Sequence, residues 1–567
     1  MPTLLEHLLA RVAAWHARRV AVRFEAALTD VAAAQQQALR RTLAVVGGSD
    51  FARTHGLAGV RTPRDLARAV PLGTYADRAP YLRRVWCGET TALLHHRQSP
   101  VMFASSSGTT AEPKRIPVTP AFVADYRRGW NVFGLRMLSD HPAAFLRAIL
   151  QSSGRHDSER SPTGVPCGAI TGLLARTQKR IVRRFYVGPP EIARIDDATA
   201  RYYTLMRCGV MRDVAFAITA NPATLVRLAR VADEHSETLI RDVHDGTLDA
   251  TLVPDAALRN AIAARLHPDP ARAAELERLR RTHGRLRPRD YWRLVFVACW
   301  TGGSLGHYLP AVADWWGPVP VRDVGLLASE GRVTIPLDDG EPVGVLDVTS
   351  GVWEFIPVES AEAAPTEAVG PQEVDQDREY VVVLSNTTGL IRYRLDDVVR
   401  VRGWVGQAPL LEFLYRWGRV ASVAGEKLTE HQAVRAVQVA AERLGAAPIE
   451  FVLAPWWGDP PFYILTCPGP SAAGLAEAVD SALGEQNEEY ASRRKSLRLG
   501  SLRVNALADS QWTAIMATLE RRRRGPAEQF KRPQLLTKPD EAAELYVAAG
   551  LRVAGLSLAP ASVDQGI

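Results

Sequence analysis

The chain has 567 residues, of which 47% are apolar and 23% charged, and a formal charge of +7. It is too long for a single compact domain and too apolar for a disordered segment, so two or three packed domains are expected. Its five cysteines are widely spaced and form no CxxC pair, which argues against a disulfide framework or a zinc site and fits a reducing, cytoplasmic setting.

At the N-terminus Leu4, Leu5, Leu8, Leu9 and Val12 lie on one face of a predicted amphipathic helix, and Glu6 and His7 interrupt any signal-peptide core. No uncharged apolar run reaches the roughly 18 residues of a membrane span, so no membrane partner is expected. Residues 1–70 read as mostly helical, and 70–85, "VPLGTYADRAPYLRRV", as a loop leading into a helix with Tyr75 and Asp77 near its start. Residues 100–110 read as a short buried strand running into a polar loop. Helical patterns dominate 120–280. Short apolar runs then alternate with glycine turns, including two strands around Gly389 in 379–401. Strands alternating with helices predict an α/β fold. After a hinge near 416–424 a smaller α+β unit follows, so the expected domains are 1–418, large, and 419–567, small. The basic run Arg521–Arg524 comes with no recognition module and is expected to be a solvated turn or helix end, not a nucleic-acid site.

The stretch "SSSGTTAEPK" (105–114) carries the first chemical signal. Hydroxyls and backbone N–H groups at Ser106, Ser107, Thr109 and Thr110 are donors for phosphate oxygens, and Gly108 lets the backbone approach an anion. Lys114 adds a mobile cation. The spacing is not that of a P-loop, and neither GxGxxG nor HExxH occurs. Alone, the stretch is weak evidence, and an ordinary polar loop is the plainer reading.

Three more boxes follow in order. "SSGTTAEPK" resembles the phosphate-binding signature of adenylate-forming enzymes, "LLASEG" their Y-G-x-T-E box, "YRLDDVVRV" their Y-R-x-G-D box, and "WGRV" the Gly-Arg pair at their hinge. Further segments ("CWTGGSLGHYLP", "VGLLASEGRVTIPL", "EQNEEYASRR", "QFKRPQLL") resemble one branch, the auxin-responsive Gretchen Hagen family of acyl-acid-amido synthetases. That resemblance implies a large multi-sheet adenylate-forming domain and a small mobile C-terminal domain. It implies ATP and Mg²⁺ as cofactors, and a small-molecule carboxylic acid and an amino acid as substrates. It places ATP on Ser106, Ser107, Gly108, Thr109, Thr110, Ser329, Glu330, Asp397, Arg419 and Lys427, and Mg²⁺ on Glu330. Lys531, Lys427 and Glu330 take catalytic roles, Asp397 takes the ribose hydroxyls, and Gly303 and Ser304 line the nucleotide or acyl pocket. A monomer is expected.

Plainer readings stand beside these. Glu330 could pair with Arg332, Asp397 with Arg394 or Arg400, and Lys427 and Lys531 could be solvated lysines. An acyl-CoA or carrier-protein ligase, or a silent scaffold, would use the same fold. Four positions depart from the superfamily pattern: Ala111 and Asp396 replace glycines, Leu326 an adenine-stacking aromatic, and Ala421 a charged hinge residue.

Overall fold

The computed structural model describes residues 18–106, 114–361, 368–417, 420–424, 426–447, 449–521 and 532–551. The N-terminal helix face of Leu4 to Val12 and Arg522–Arg524 lie outside the described residues, while Arg521 ends the helix Asp509–Arg521. The described chain divides into two compact units. The first runs to Leu395 and includes Val399–Phe413; the second takes Asp396–Val398 and the residues from Leu414 onward.

The first unit is α/β with several sheets. Met102–Ser106 pairs antiparallel with Lys114–Val118 and parallel with Pro166–Gly168. A parallel four-stranded sheet runs in the order Ala148–Gln151, Val214–Ile218, Phe296–Ala298, Val321–Arg322. A six-stranded sheet carries Tyr393–Val405 between Ala408–Arg416 and Glu379–Asn386. The segment 120–280, expected to be helical, is interrupted by strands. In Val214–Ile218, "VAFAI", every residue is buried. A parallel strand covered on both faces presents a continuous apolar run, which has no period to separate it from a buried helix.

Helix starts follow local chemistry. Thr74 and Asp77 form a capping box that opens Tyr75–Trp86. Thr119 accepts from the Phe122 N–H, with Pro120 at the first helical position, and opens Pro120–Asp140. Among the described residues no helix is long and apolar enough to cross a membrane.

The second unit is α+β. Val452–Trp456 and Phe462–Pro468 pair antiparallel, and Arg503–Leu507 adds in parallel. Alternation splits the sheet between two cores. Leu453, Tyr463 and Leu465 face Val437 of Glu430–Arg443 and Val479 of Leu475–Gln486. Val452, Ala454 and Ile464 face Trp512 and Ile515 of Asp509–Arg521 and Leu545 of Pro539–Ala548. This is the period-2 signature of a strand buried on both faces.

One buried ion pair fixes the strand that enters the candidate site. Arg392 donates from Nε and Nη2 to Glu354, at 2.8–3.1 Å, and from Nη1 to the Ala67 and Val70 carbonyls. Both residues are buried. Replacing Glu354 by leucine strands the guanidinium. The expected loss is about 3–5 kcal/mol of folding stability in a urea titration; a loss below about 1 kcal/mol would show that the backbone carbonyls alone satisfy Arg392.

Candidate active site

Opposite residues Ser106 and Lys114 close the register of the first hairpin. Ser107, Gly108, Thr109, Thr110 and Ala111 between them lie outside the described residues, as do Arg419 and Lys531. Nothing is described of the Ser106 and Ser304 side chains; Gly303 opens a 3-10 turn that runs to Tyr308. Lys114 goes into the core and its neighbour Arg115 faces outward. Lys114, Ile116 and Val118 are buried, whereas Arg115 lies over the Trp86 ring at 4.3 Å and pairs with Glu159 at 2.7 Å. Lys114 is therefore not the mobile cation expected. Only 7% of it is exposed; its Nζ donates to the Tyr393 hydroxyl at 2.9 Å and sits 5.5 Å and 5.6 Å from the ring centroids of Tyr75 and Tyr393.

Glu330 lies at the tip of a second hairpin, in the two-residue turn between Leu327–Ala328 and Gly331–Arg332. Its carbonyl accepts from Asn386 Nδ2 at 2.7 Å, and its carboxylate accepts from the Tyr393 hydroxyl at 3.2 Å. Lys114 Nζ stands 3.9 Å from Oε1. Ser329 Oγ donates to the Ser105 carbonyl at 3.4 Å, joining the two hairpins. Arg332 is not the partner of Glu330. It is buried between the rings of Trp130 and Phe133, and its Nη1 donates to the Val324 and Thr334 carbonyls. Burial lowers its pKa to about 10, which leaves it charged at neutral pH.

The approach to this hairpin is equally fixed. Asp323 accepts from Thr301 N and Oγ1 with one oxygen and from Gly325 N with the other, at 2.6–2.7 Å. Gly325 has φ +85°, and a Cβ there would lie 2.4 Å from the Thr334 carbonyl, so only glycine fits. Leu326, the expected counterpart of an adenine-stacking ring, is buried in the apolar core of the first unit.

Asp396 stands where the superfamily box has glycine, and its φ of +64° gives the reason for that glycine. Aspartate tolerates the left-handed region better than branched residues do. Asp397, half-buried, follows it in the same strand. Arg400 pairs with Glu379 at 2.6 Å, and Arg394 donates to the Ala361 carbonyl at 3.3 Å.

In the second unit Lys427 is exposed and adopts φ +47°. Its predecessor Glu426 is fully buried and accepts from Val423 N, Ala424 N and the Tyr463 hydroxyl. Burial first, and then the Glu426 charge, push the Tyr463 phenol far above its ordinary pKa, so it remains a donor. The segment "EQNEEYASRR" supplies the other side. Asn487 Nδ2 donates to the Glu426 and Lys427 carbonyls, and Arg493 Nε to the Ala424 carbonyl. Ala421, in the position of a charged hinge residue, is fully buried opposite Leu428.

Tyr393, Asn386, Glu426 and Asn487 were not among the expected site residues, and Lys114 was expected only as a mobile cation. Lys114, Tyr393 and Asn487 sit inside quoted segments; Asn386 and Glu426 lie in none of them. Among the described residues no group of three or more His, Cys, Asp or Glu side chains is placed to hold a metal. Glu330 offers one carboxylate whose Oε2 takes part in no hydrogen bond among the described residues. That fits Mg²⁺, which commonly takes one or two protein carboxylates and completes its shell with phosphates and water.

The left-handed backbone at position 396 makes a stability prediction. Asp396→Gly is expected to be tolerated, and Asp396→Val to be less stable than Asp396→Gly by about 1–2 kcal/mol in thermal or urea unfolding. Equal stability of the two variants would remove the backbone explanation for the glycine of this box.

Residues 20–321 match the GH3 family N-terminal domain, 344–416 the GH3 family central domain and 431–540 the GH3 family C-terminal domain. The jasmonoyl–L-amino acid synthetase JAR6 of Nicotiana attenuata is 26% identical over 457 residues, covering 76% of this chain and 77% of that protein. The probable indole-3-acetic acid-amido synthetase GH3.12 of Oryza sativa subsp. japonica is 26% identical over 561 residues, covering 87% and 89%. Among solved structures, GH3.15 acyl acid amido synthetase superposes with a TM-score of 0.80 at 20% identity, covering 92% of this chain and 95% of that one, and so has the same fold. With all three domain descriptions matched in order along its length, the chain belongs to the GH3 family.

Proposed function

We propose that the protein is an ATP-dependent acid–amino acid ligase. A carboxylate of the acid attacks the α-phosphorus of ATP, releasing pyrophosphate and leaving an acyl adenylate. The amine of an amino acid then attacks the acyl carbon, the C–N bond forms, and AMP departs. The observation that carries this reading is the meeting of three motif residues, Lys114, Glu330 and Tyr393, in one buried cluster at the base of the hydroxyl-rich loop.

Each role follows from charge. The first step brings the acid's carboxylate toward a triphosphate, so donors and cations must offset the repulsion. In this reading Ser106, Ser107, Gly108, Thr109 and Thr110 bind phosphate, and Asp397 accepts two ribose hydroxyls. Arg419 reaches ribose or phosphate. Ser329 and Glu330 complete the nucleotide site, and Gly303 and Ser304 border the nucleotide or acyl pocket. Glu330 would hold Mg²⁺, which when bound would neutralise phosphate charge. Residues 1–418 would bind ATP and the acid, and 419–567 would carry Lys427 and Lys531 as the catalytic lysines. The dispersed cysteines support a cytoplasmic location. The relatives named for jasmonate and indole-3-acetate make acids with an apolar body the first candidates.

The test is ATP–pyrophosphate exchange across a panel of aryl and alkyl acids, with mass spectrometry of the products formed on adding amino acids. Acid-dependent exchange and amide products are expected; thioester formation with CoA and no amide would redirect the reading to an acyl-CoA ligase. Lys531→Ala is expected to slow exchange, and Asp397→Ala to raise the KM for ATP, each by about 10–100-fold, the size of a lost charge-assisted hydrogen bond. Normal exchange in both variants would refute these assignments.

A further inference from the structure

Glu330 and Lys114 are close without being bonded. Nζ is 3.9 Å from Oε1, and the Tyr393 hydroxyl joins them, accepting from Lys114 at 2.9 Å and donating to Glu330 at 3.2 Å. Lys114 is 7% exposed, Glu330 4% and Tyr393 fully buried. The carboxylate therefore already has its counter-charge in the protein alone. A carboxylate buried this far and left without a cation would be strongly destabilising. The same arrangement works against a second cation, because a divalent ion at Glu330 meets the Lys114 ammonium at short range in a poorly screened setting. Nucleotide phosphates change the balance, since they offer the ammonium an anion of its own.

Resting on the ligase reading above, we propose that Lys114 is a resident counter-ion that selects against free divalent cations at Glu330, so that the metal enters only with the nucleotide. Tyr393 is the positioning residue of this device. Its hydroxyl keeps ammonium and carboxylate apart as a bridged pair, loose enough to be exchanged. Without that hydroxyl the two side chains close into a direct pair that competes better with the metal.

The experiment uses Mn²⁺ as the probe, with free ion counted by electron paramagnetic resonance in the absence of nucleotide. Lys114→Gln, which keeps a polar contact for Tyr393, is expected to bind Mn²⁺ about tenfold more tightly than the wild type, since the repelling unit charge is gone. The double variant Lys114→Gln, Glu330→Gln is expected to lose that gain. No gain in the single variant, or a gain that survives in the double, overturns the proposal. Tyr393→Phe keeps the buried ring and decides the matter if Lys114→Gln does not fold. Its affinity for Mn·ATP by calorimetry is expected to fall by about fivefold or more, as the direct pair competes with the metal, and an unchanged affinity overturns the proposal. The manganese titration involves no acid substrate. Failure of every acid in the exchange assay therefore removes the ligase reading, whereas failure of the Mn²⁺ arms removes only the counter-ion.

Discussion

A carboxylate as deeply buried as Glu330 keeps its charge only beside cations or strong donors. Much of the first unit answers that requirement. Lys114 and Tyr393 lie 279 positions apart in the chain, and Tyr393 and Glu330 63 apart. Chain entropy opposes bringing such distant segments together, so the surrounding core must hold them. It does: Ala104, Ile116, Val324, Val333, Leu390 and Ile391 belong to one apolar cluster that also contains Tyr393. The polar triad is a small charged inclusion at the margin of that cluster. The fold satisfies it with a phenol, which can accept and donate at the same time.

The box "RYRLDD" reads as a backbone device built around one side chain. Arg392 and Asp396, on either side of Tyr393–Leu395, have φ of +46° and +64°. Such residues persist only where the surroundings over-determine them. For Arg392 the determinants are explicit: Glu354, two carbonyls, and Ser385 Oγ accepting from its N–H at 2.8 Å. For Asp396, the carbonyl accepts from Trp417 N. Rotating the chain at these points costs free energy, and fixes Tyr393 in register with the two hairpins.

Family identity was legible because the boxes concentrate unusual chemistry into short local strings, such as hydroxyls before "PK" and paired carboxylates after "YR". What stayed hidden was of two kinds. Val214–Ile218 could not be told from a helix segment, because burial on both faces erases the alternation. The partner of Glu330 could not be read either. Arg332, two residues away, was the natural candidate, yet it belongs beneath the hairpin among Trp130, Phe133 and two carbonyls. Neighbours along a strand point to opposite faces only in alternation, so residues 330 and 332 share a parity that the tight turn between the strands breaks. Lys114 was misjudged for a related reason. Lysine is solvated in most contexts, and only its place opposite Ser106, on the inward face of a strand, turns it into the core.

The same distinction separates architecture from chemistry in the second unit. "EQNEEYASRR", rich in charge and amide, is one of the segments that carry the family resemblance. In the fold its donors are directed at the protein. Asn487 and Arg493 bind carbonyls of the loop before Lys427, and Tyr490 and Arg494 bind Asp480 at 2.6 Å. Glu426 holds two N–H groups of that loop from within. Val423, Ala424, Glu426 and Lys427 are each held by hydrogen bonds, and Lys427 takes its left-handed backbone where its carbonyl accepts from Asn487. Lys427 is thus an exposed lysine on a left-handed backbone, braced by a partly buried network around the fully buried Glu426. This bracing supports the role proposed above for Lys427, rather than for the charged string beside it.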